Sequence, residues 1–353
     1  MVGMLELRKI SKSFEDFSLE EVSFSVQKGD YFILLGESGA GKSMVLEVIA
    51  GLVRPESGSV FLGEKDITHE KIQNRKIGLV FQDHAIFPHI TVAENIAYSL
   101  HRGTLSKAEK HAKVKSVAAE LGIGELLARK PETLSGGELQ RVALGRTLIQ
   151  EPDILLLDEP LSSLDTRLKG DLRRLLRNIH RKGQTILHVT HDYEEALALA
   201  TKIAVIHAGA IIQSGTPEEV FSHPKSEFLA HFIGVRNFFP ATLVTLNQKQ
   251  FAYINNHLPL RILTDEPDEE GFVLIRGEDI LLSVLPVETS ATNNFKGIVL
   301  EIVPHKGGVE VTIDAGLELH ALITRESLTS LGLVAGSSCW VHFKAGAVRF
   351  LRG

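Results

Sequence analysis

The chain reads as an α/β domain with a buried parallel sheet, followed by a smaller all-β barrel, and three observations point there. A glycine-rich loop, Gly36-Glu37-Ser38-Gly39-Ala40-Gly41-Lys42-Ser43, comes straight after the apolar run 31–35. Further apolar runs at 154–157 and 186–189 end close to Asp158-Glu159 and His191-Asp192, and parallel sheets bind ligands at the carboxyl ends of their strands. After about residue 232, helical periodicity gives way to short β runs separated by Gly, Pro, Asn and Asp. The bounds that follow are residues 1–229 for the first domain, with a helix-rich part at about 83–150, and residues 235–353 for the tail.

The loop fits the phosphate-binding pattern of a Gly, four free positions, then Gly-Lys-Ser. Its glycines, Gly36, Gly39 and Gly41, with Ser38 between them, let backbone N–H groups converge on a β-phosphate while the following helix points its positive end at the same anion. Lys42 is placed to reach the β- and γ-phosphates, and the Ser43 hydroxyl to ligate Mg2+. At the end of the 154–157 strand, Asp158 is the carboxylate to hold Mg2+ through its water shell. Glu159 is then the group to polarise an attacking water.

Ser135-Gly136-Gly137-Glu138 fits the Ser-x-x-Glu capping box and opens a helix through Leu139, Val142, Ala143 and Leu148. Two glycines behind the capping serine strip that helix tip of side-chain bulk, so its N–H groups can approach a γ-phosphate. Thr91-Val92-Ala93-Glu94 and Ser106-Lys107-Ala108-Glu109 are two more capping boxes, and Gly122 and Gly124 punctuate the end of the second helix.

The 353 residues carry a net charge of −6, and 44% are hydrophobic, enough for a core in each of two domains. No run approaches the roughly 18 apolar residues of a membrane span, and a basic footprint for nucleic acid is missing. The amino terminus has neither a basic region nor a long apolar stretch of the kind that directs secretion. Cys339 is the one cysteine, which excludes an internal disulfide and reads as a packed strand residue.

In the tail the β runs are 241–246, 272–275, 298–303, 309–313, 317–322 and 339–343, a spacing that indicates a small barrel. Gly307-Gly308 is the expected hairpin turn, and alternation across 309–313 marks one buried face. No low-complexity linker separates the tail from the first domain near Gly234.

Taken together and in order, the motifs of residues 1–229 resemble the ATP-binding subunit of an ATP-binding-cassette (ABC) transporter. The resemblance implies ATP and Mg2+ as cofactors and a homodimer in which two cassettes face head to tail. Each ATP would then lie between the phosphate loop of one and the Leu134–Glu138 signature of the other. It further implies that Gln82 senses Mg2+ and touches the membrane partner, that Asp165 in Ser162-Ser163-Leu164-Asp165 lies in a loop crossing the dimer, and that His191 contacts the γ-phosphate. Phe14 stands where the family stacks an aromatic on adenine, with Phe17 nearby as the other candidate. Phe81, Phe87, Pro88 and Ile90 would line the groove that receives a helix of an integral membrane permease, placing the chain at the cytoplasmic face of the membrane.

The tail resembles the OB-like molybdate-binding domain of molybdate importer ATPases, through residues 290–297, Ile323-Thr324-Arg325-Glu326-Ser327 and Phe343-Lys344-Ala345. That resemblance implies a regulatory oxyanion site of Ser290, Asn293, Thr324, Ser327 and Lys344, formed across a subunit boundary. Molybdate or tungstate would be its ligand, and an extracytoplasmic oxyanion-binding protein a further, indirect partner. Thr292 stands where the commoner form has arginine. Related tails in sugar, polyamine, sulfate and ferric-iron importers share the barrel without the anion, so an importer of another solute stays open as an alternative. A soluble ABC ATPase without a transport task, or a molybdate sensor, is the more distant one.

Overall fold

The structure is a computed structural model that describes residues 3–14, 16–102, 105–162, 164–254 and 258–352. The chain divides into two compact units, residues 1–220 and 221–353.

The first unit contains strands β1 (Leu5–Ser13), β2 (Ser18–Val26), β3 (Tyr31–Leu35), β4 (Ser57–Leu62), β5 (Lys65–Asp66), β6 (Ile77–Val80), β7 (Ile154–Asp158), β8 (Thr185–Thr190), β9 (Lys202–His207) and β10 (Ala210–Gly215). They form a four-stranded antiparallel sheet, β2-β1-β4-β5, and a six-stranded sheet, β10-β9-β3-β8-β7-β6, that is parallel except at β10. Every residue of β3 and β8 is buried. These strands are covered on both faces, which is why they read as continuous rather than alternating apolar runs.

Helices α1 (Lys42–Ala50), α2 (Val92–Ala97), α3 (Lys107–Glu120), α4 (Gly136–Leu148), α5 (Thr166–Arg181) and α6 (Tyr193–Leu199) complete this unit. Helices α2 and α3 start at the expected boxes, with Thr91 and Ser106 accepting from the N–H groups of Glu94 and Glu109. A single core runs from Leu5, Val22 and Val60 of the antiparallel sheet through Val45 and Ile49 of α1 to Leu34, Leu156 and Leu187 of the parallel one. The register pairs Leu35 with Thr190 and Asp158 with Val189. The carboxyl ends of β3, β7 and β8 therefore finish level, and the residues after them meet at one edge.

Helix α7 (Pro217–Ser222) crosses the division, and α8 (Glu227–Phe232) belongs to the second unit, where Ala230 shares a cluster with Phe238 and Leu274. That unit carries β11 (Asn237–Leu246), β12 (Lys249–Ile254), β13 (Leu258–Ile262), β14 (Glu270–Ile275), β15 (Leu281–Ser283), β16 (Asn293–His305), β17 (Gly308–Asp314), β18 (Glu318–Ile323), α9 (Arg325–Leu331), β19 (Ser338–Phe343) and β20 (Val348–Arg352). Two five-stranded antiparallel sheets, β13-β12-β11-β14-β20 and β15-β19-β16-β17-β18, enclose one core of residues such as Leu243, Leu260, Val273, Val311 and Val341. Cys339 is buried on β19, and the turn joining β16 to β17 is Lys306-Gly307, one residue earlier than the expected Gly307-Gly308, because Gly308 already pairs with His305 as the first residue of β17. Strands β12, β13, β15 and β20 were not among the runs read from the sequence. They are short and mix polar with apolar residues, and pairing with their neighbours makes them strands.

Candidate functional site

The phosphate loop begins where β3 ends. Gly36 donates its N–H to the Thr190 carbonyl at 3.3 Å, and a Cβ there would lie 2.3 Å from the Ile206 carbonyl oxygen, so only glycine fits. Gly41, at φ 98°, caps α1, and a Cβ on it would lie 2.6 Å from the Phe17 ring. Gly39 is left-handed too, with open space around it, and Ser38 beside it is exposed. The loop thus curls in the way that turns successive N–H groups to one centre.

Lys42 is only 4% exposed and reaches back into this curl, donating to the carbonyls of Gly36 at 3.0 Å and Glu37 at 2.8 Å. Burial lowers its pKa, and the carboxylates of Glu159 and Asp158 oppose the shift. A phosphate in the curl would offer this ammonium a stronger, charge-assisted partner.

The Ser43 hydroxyl donates to Asp158 Oδ1 at 3.0 Å. Burial raises the Asp158 pKa, with the Ser43 hydrogen bond pulling it back. Two hard oxygens side by side beside a phosphate loop fit Mg2+, which takes few protein ligands and completes its shell with phosphate and water. Among the described residues no group of three or more His, Cys, Asp or Glu side chains gathers that could hold a metal ion.

Glu159 sits at φ 43°, with its N–H on the Val189 carbonyl at 3.1 Å. A left-handed non-glycine residue carries strain of order 1 kcal/mol, and here it aims the carboxylate at the Lys42 ammonium and the His191 ring. His191 Nδ1 lies 3.1 Å from Glu159 Oε1, and Lys42 Nζ lies 3.7 Å from the same oxygen. Lys42, Ser43, Asp158, Glu159 and His191, scattered over 150 positions of sequence, are therefore one cluster.

Other expected residues stand apart from it. Gln82 is exposed in the loop after β6, and among the described residues no hydrogen bond or ion pair joins it to Ser43, Asp158 or Glu159. At the signature, the Glu138 carboxylate accepts both the Ser135 N–H at 2.7 Å and its hydroxyl at 2.9 Å. Gly136 is exposed, whereas a Cβ on the buried Gly137 would come within 3.3 Å of Leu168. Asp165 caps α5, accepting from the N–H groups of Arg167 and Leu168 at 3.0 Å each, while Ser163 of the same loop lies outside the described residues. Phe17 packs on the phosphate loop, and half-buried Phe14 has the Lys12 ammonium 5.8 Å from its ring.

Two residues that shape the Gln82 loop escaped the sequence reading. Asn95 is fully buried on α2, accepts from the Phe87 N–H and donates to the carbonyls of Phe87, Ile90 and Thr91. Arg146 of α4 donates to the Ala85 carbonyl and lies over the Phe87 ring. The available signal for Asn95 was an amide on the same helix face as Val92 and Ile96.

In the tail, Ser290 and Lys344 are exposed, and so is Thr324, which caps α9 and bonds Ser327 through both its N–H at 3.0 Å and its hydroxyl at 2.9 Å. Asn293 is buried, and its amide brackets the backbone of Arg261 on the other sheet, at 2.7 Å to the N–H and 2.9 Å to the carbonyl. Asn293 thus fastens sheet to sheet. The register puts Asn293 beside Phe343 at one end of β16, but Ile323 beside Val309 at the other. Ser290 and Lys344 therefore share one end of the second sheet, and Thr324 and Ser327 the opposite end.

Residues 19–162 match the ABC transporter family, and residues 289–350 the TOBE domain. The chain is 41% identical over 351 residues to the molybdate/tungstate import ATP-binding protein WtpC of Pyrococcus abyssi, covering 98% of this chain and 99% of that one. To the spermidine/putrescine import ATP-binding protein PotA of Nitrosomonas eutropha it is 36% identical over 335 residues, 92% of each. Among solved structures it resembles cbiO1 of Clostridium perfringens, part of the ABC transporter complex cbiONQ, with a TM-score of 0.58 at 26% identity over 67% of this chain and 96% of that one. A curled phosphate loop, a level sheet edge carrying Asp158 and Glu159, and near full-length relatives lead to one assignment: the chain belongs to the ABC importer ATP-binding proteins, ATPases with a C-terminal TOBE domain.

Proposed function

We propose that this ATPase energises uptake of a tetrahedral oxyanion, molybdate or tungstate, as a homodimer docked on an integral membrane permease at the cytoplasmic face. An oxyanion-binding protein outside the membrane would deliver the cargo. The observation that carries the cargo reading is the likeness to molybdate/tungstate import proteins through the tail as well as the cassette. Residues 1–229 act as the cassette and 235–353 as its regulator.

In this reading Lys42 holds the β- and γ-phosphates in the curl of Gly36, Ser38, Gly39 and Gly41, and Ser43 with Asp158 holds Mg2+. Held by Ser43 and Asp158, the ion would supply charge neutralisation to the phosphate oxygens. Glu159 accepts the proton of the attacking water, and His191, oriented through Nδ1 by Glu159, presents its other nitrogen to the γ-phosphate. Gln82 reports Mg2+ to the permease groove, and Phe14 stacks on adenine. Ser135, Gly136, Gly137 and Asp165 serve the partner's nucleotide, which is in keeping with there being, among the described residues, no hydrogen bond or ion pair from them to this chain's own cluster. ATP between two cassettes draws them together, and hydrolysis separates them. Glu159→Gln should keep ATP binding while slowing phosphate release about 10²- to 10⁴-fold, and rapid hydrolysis by that variant would remove Glu159 from this role.

The oxyanion donors lie at opposite ends of one tail, so one tail gives Ser290 and Lys344 and its partner gives Thr324 and Ser327. Hydroxyls and an ammonium are suitable donors to a dianion, and Asn293 holds the first pair's loop in place. An anion bound between separated tails would favour the open dimer and inhibit transport when the cell is replete. Calorimetric titration of the full chain with molybdate, tungstate, sulfate and phosphate tests the cargo. Heat from the first two alone supports it, and no heat from any favours the second reading, a polyamine importer with a structural tail, to which the spermidine/putrescine relatives point. ATPase rates of the complex with and without molybdate test the inhibition.

A further inference from the structure

Below the γ-phosphate side of the site lies a buried polar chain that no role above uses. Thr190, the residue before His191, donates its hydroxyl to Glu195 Oε2 at 2.8 Å, and both residues are 2% exposed. The same hydroxyl accepts the N–H of Asp192, the residue after His191, at 3.1 Å. The Thr190 carbonyl accepts the Gly36 N–H of the phosphate loop. Asp192 in turn caps α6, accepting from the N–H groups of Glu194 and Glu195. The backbone on either side of His191 is thus tied, through one hydroxyl, to one carboxylate.

Two further side chains face that carboxylate from beyond hydrogen-bond distance. Its Oε1 lies 3.9 Å from the Lys169 ammonium of α5, the helix capped by Asp165, and its Oε2 lies 3.7 Å from Nε2 of fully buried His188 on β8. Nδ1 of His188 meets the Tyr31 hydroxyl of β3 at 3.0 Å. With Tyr31 as donor to Nδ1, the neutral ring carries its proton on Nε2, on the Glu195 side. Burial pushes the Glu195 pKa up, and the Thr190 hydroxyl, Lys169 and Arg173 oppose that push. A buried carboxylate is costly unless such partners surround it, and nothing in packing alone asks for one here.

We infer that Glu195 is a positioning residue for ATP hydrolysis, holding the His191 backbone in register with the phosphate loop through Thr190 and tying both to α5 through Lys169. The inference rests on the reading of His191 as the γ-phosphate contact. A misplacement of about 1 Å at a reacting group costs up to about 10²-fold in rate.

The test uses the full chain and three readouts: steady-state ATP hydrolysis, the ATP KM, and the Cε1–H resonance of His191, assigned by its loss in His191→Ala. Thr190→Val is isosteric and cuts the link without removing a buried charge, while Glu195→Ala removes the anchor itself. Both should lower kcat about 10- to 100-fold with KM within about twofold of wild type, and both should displace the His191 resonance. Thr190→Ser, which restores the hydroxyl, should recover rate and resonance together. Wild-type kcat in Thr190→Val overturns the inference, and so does a fall in kcat with the His191 resonance unmoved, since that describes a merely structural contact. A His191→Ala chain that hydrolyses ATP at the wild-type rate overturns the reading of His191 instead, so the two failures are told apart.

Discussion

Replacing His188 by asparagine should remove a pH dependence from the folding of the first unit. The His188 ring is fully buried beside Tyr31, and burial lowers its pKa from 6.5 to about 3. The unfolded chain therefore takes up a proton as pH falls through about 6.5, whereas the folded chain stays neutral until about pH 3. Stability from this residue is complete above pH 6.5 and drains as the solution is acidified. Between pH 7 and pH 5 the loss is about 1.36 kcal/mol for each of the roughly 1.5 pH units below the unfolded pKa, or about 2 kcal/mol. That figure hardly depends on the folded pKa so long as it stays below about 4.

Asparagine keeps an acceptor for the Tyr31 hydroxyl, so the variant loses the titration more than the hydrogen bond. Urea unfolding at pH 7, 6 and 5, followed by helix circular dichroism, reports mainly on the first unit, where α1 to α6 lie. Fluorescence of Trp340, the chain's one tryptophan, reports on the second unit and is the internal control. The wild type should lose about 2 kcal/mol more than the variant between pH 7 and pH 5 in the first signal, and the two chains should track each other in the second. Equal pH slopes in the circular dichroism signal would mean that His188 is not held neutral, and the donor pattern around Glu195 would fall with it.

Three further outcomes follow from local geometry. Gly41→Ala puts a Cβ at φ 98° and 2.6 Å from Phe17; strain of about 1–3 kcal/mol should lower ATP affinity about 5- to 150-fold, and unchanged binding by calorimetry would contradict it. Asn95→Ala strips four hydrogen bonds from the 87–91 turn. A loss of roughly 3 kcal/mol, or about 6–12 °C in the melting of the first unit, is expected, and a melt unchanged within about 1 °C would refute that bracing role. Asn293→Ala unfastens Arg261 from β16, which should lower the Trp340 unfolding free energy by about 2 kcal/mol; an unmoved midpoint would show the two sheets need no such tie.

Local chemistry was legible in the sequence wherever it is written in adjacent residues. The Gly-x4-Gly-Lys-Ser loop, the boxes at Thr91 and Ser106, and the apolar runs that became β3, β7 and β8 each depend on neighbours a few positions away. Glycine spacing and capping chemistry act over one turn of chain, so they survive without knowledge of the fold. The antiparallel sheet β2-β1-β4-β5 and strands β12, β13, β15 and β20 did not announce themselves, because pairing with distant partners makes them strands.

Sequence by itself marked the candidates for a nucleotide site: Lys42 and Ser43 on the loop for phosphate and Mg2+, Asp158 and Glu159 at the end of a later buried strand for Mg2+ and water. Only the tertiary structure decided their company. Parallel register in the first unit brought His191 within 3.1 Å of Glu159 and buried Glu195 beneath Thr190, and antiparallel packing in the second engaged the Asn293 amide on Arg261. It also sent Ser290 and Thr324 to opposite ends of β16. The physical reason is range: turn and cap preferences are settled by local backbone sterics, whereas the partner of a buried polar group is whichever group the packing of remote strands leaves within 3 Å.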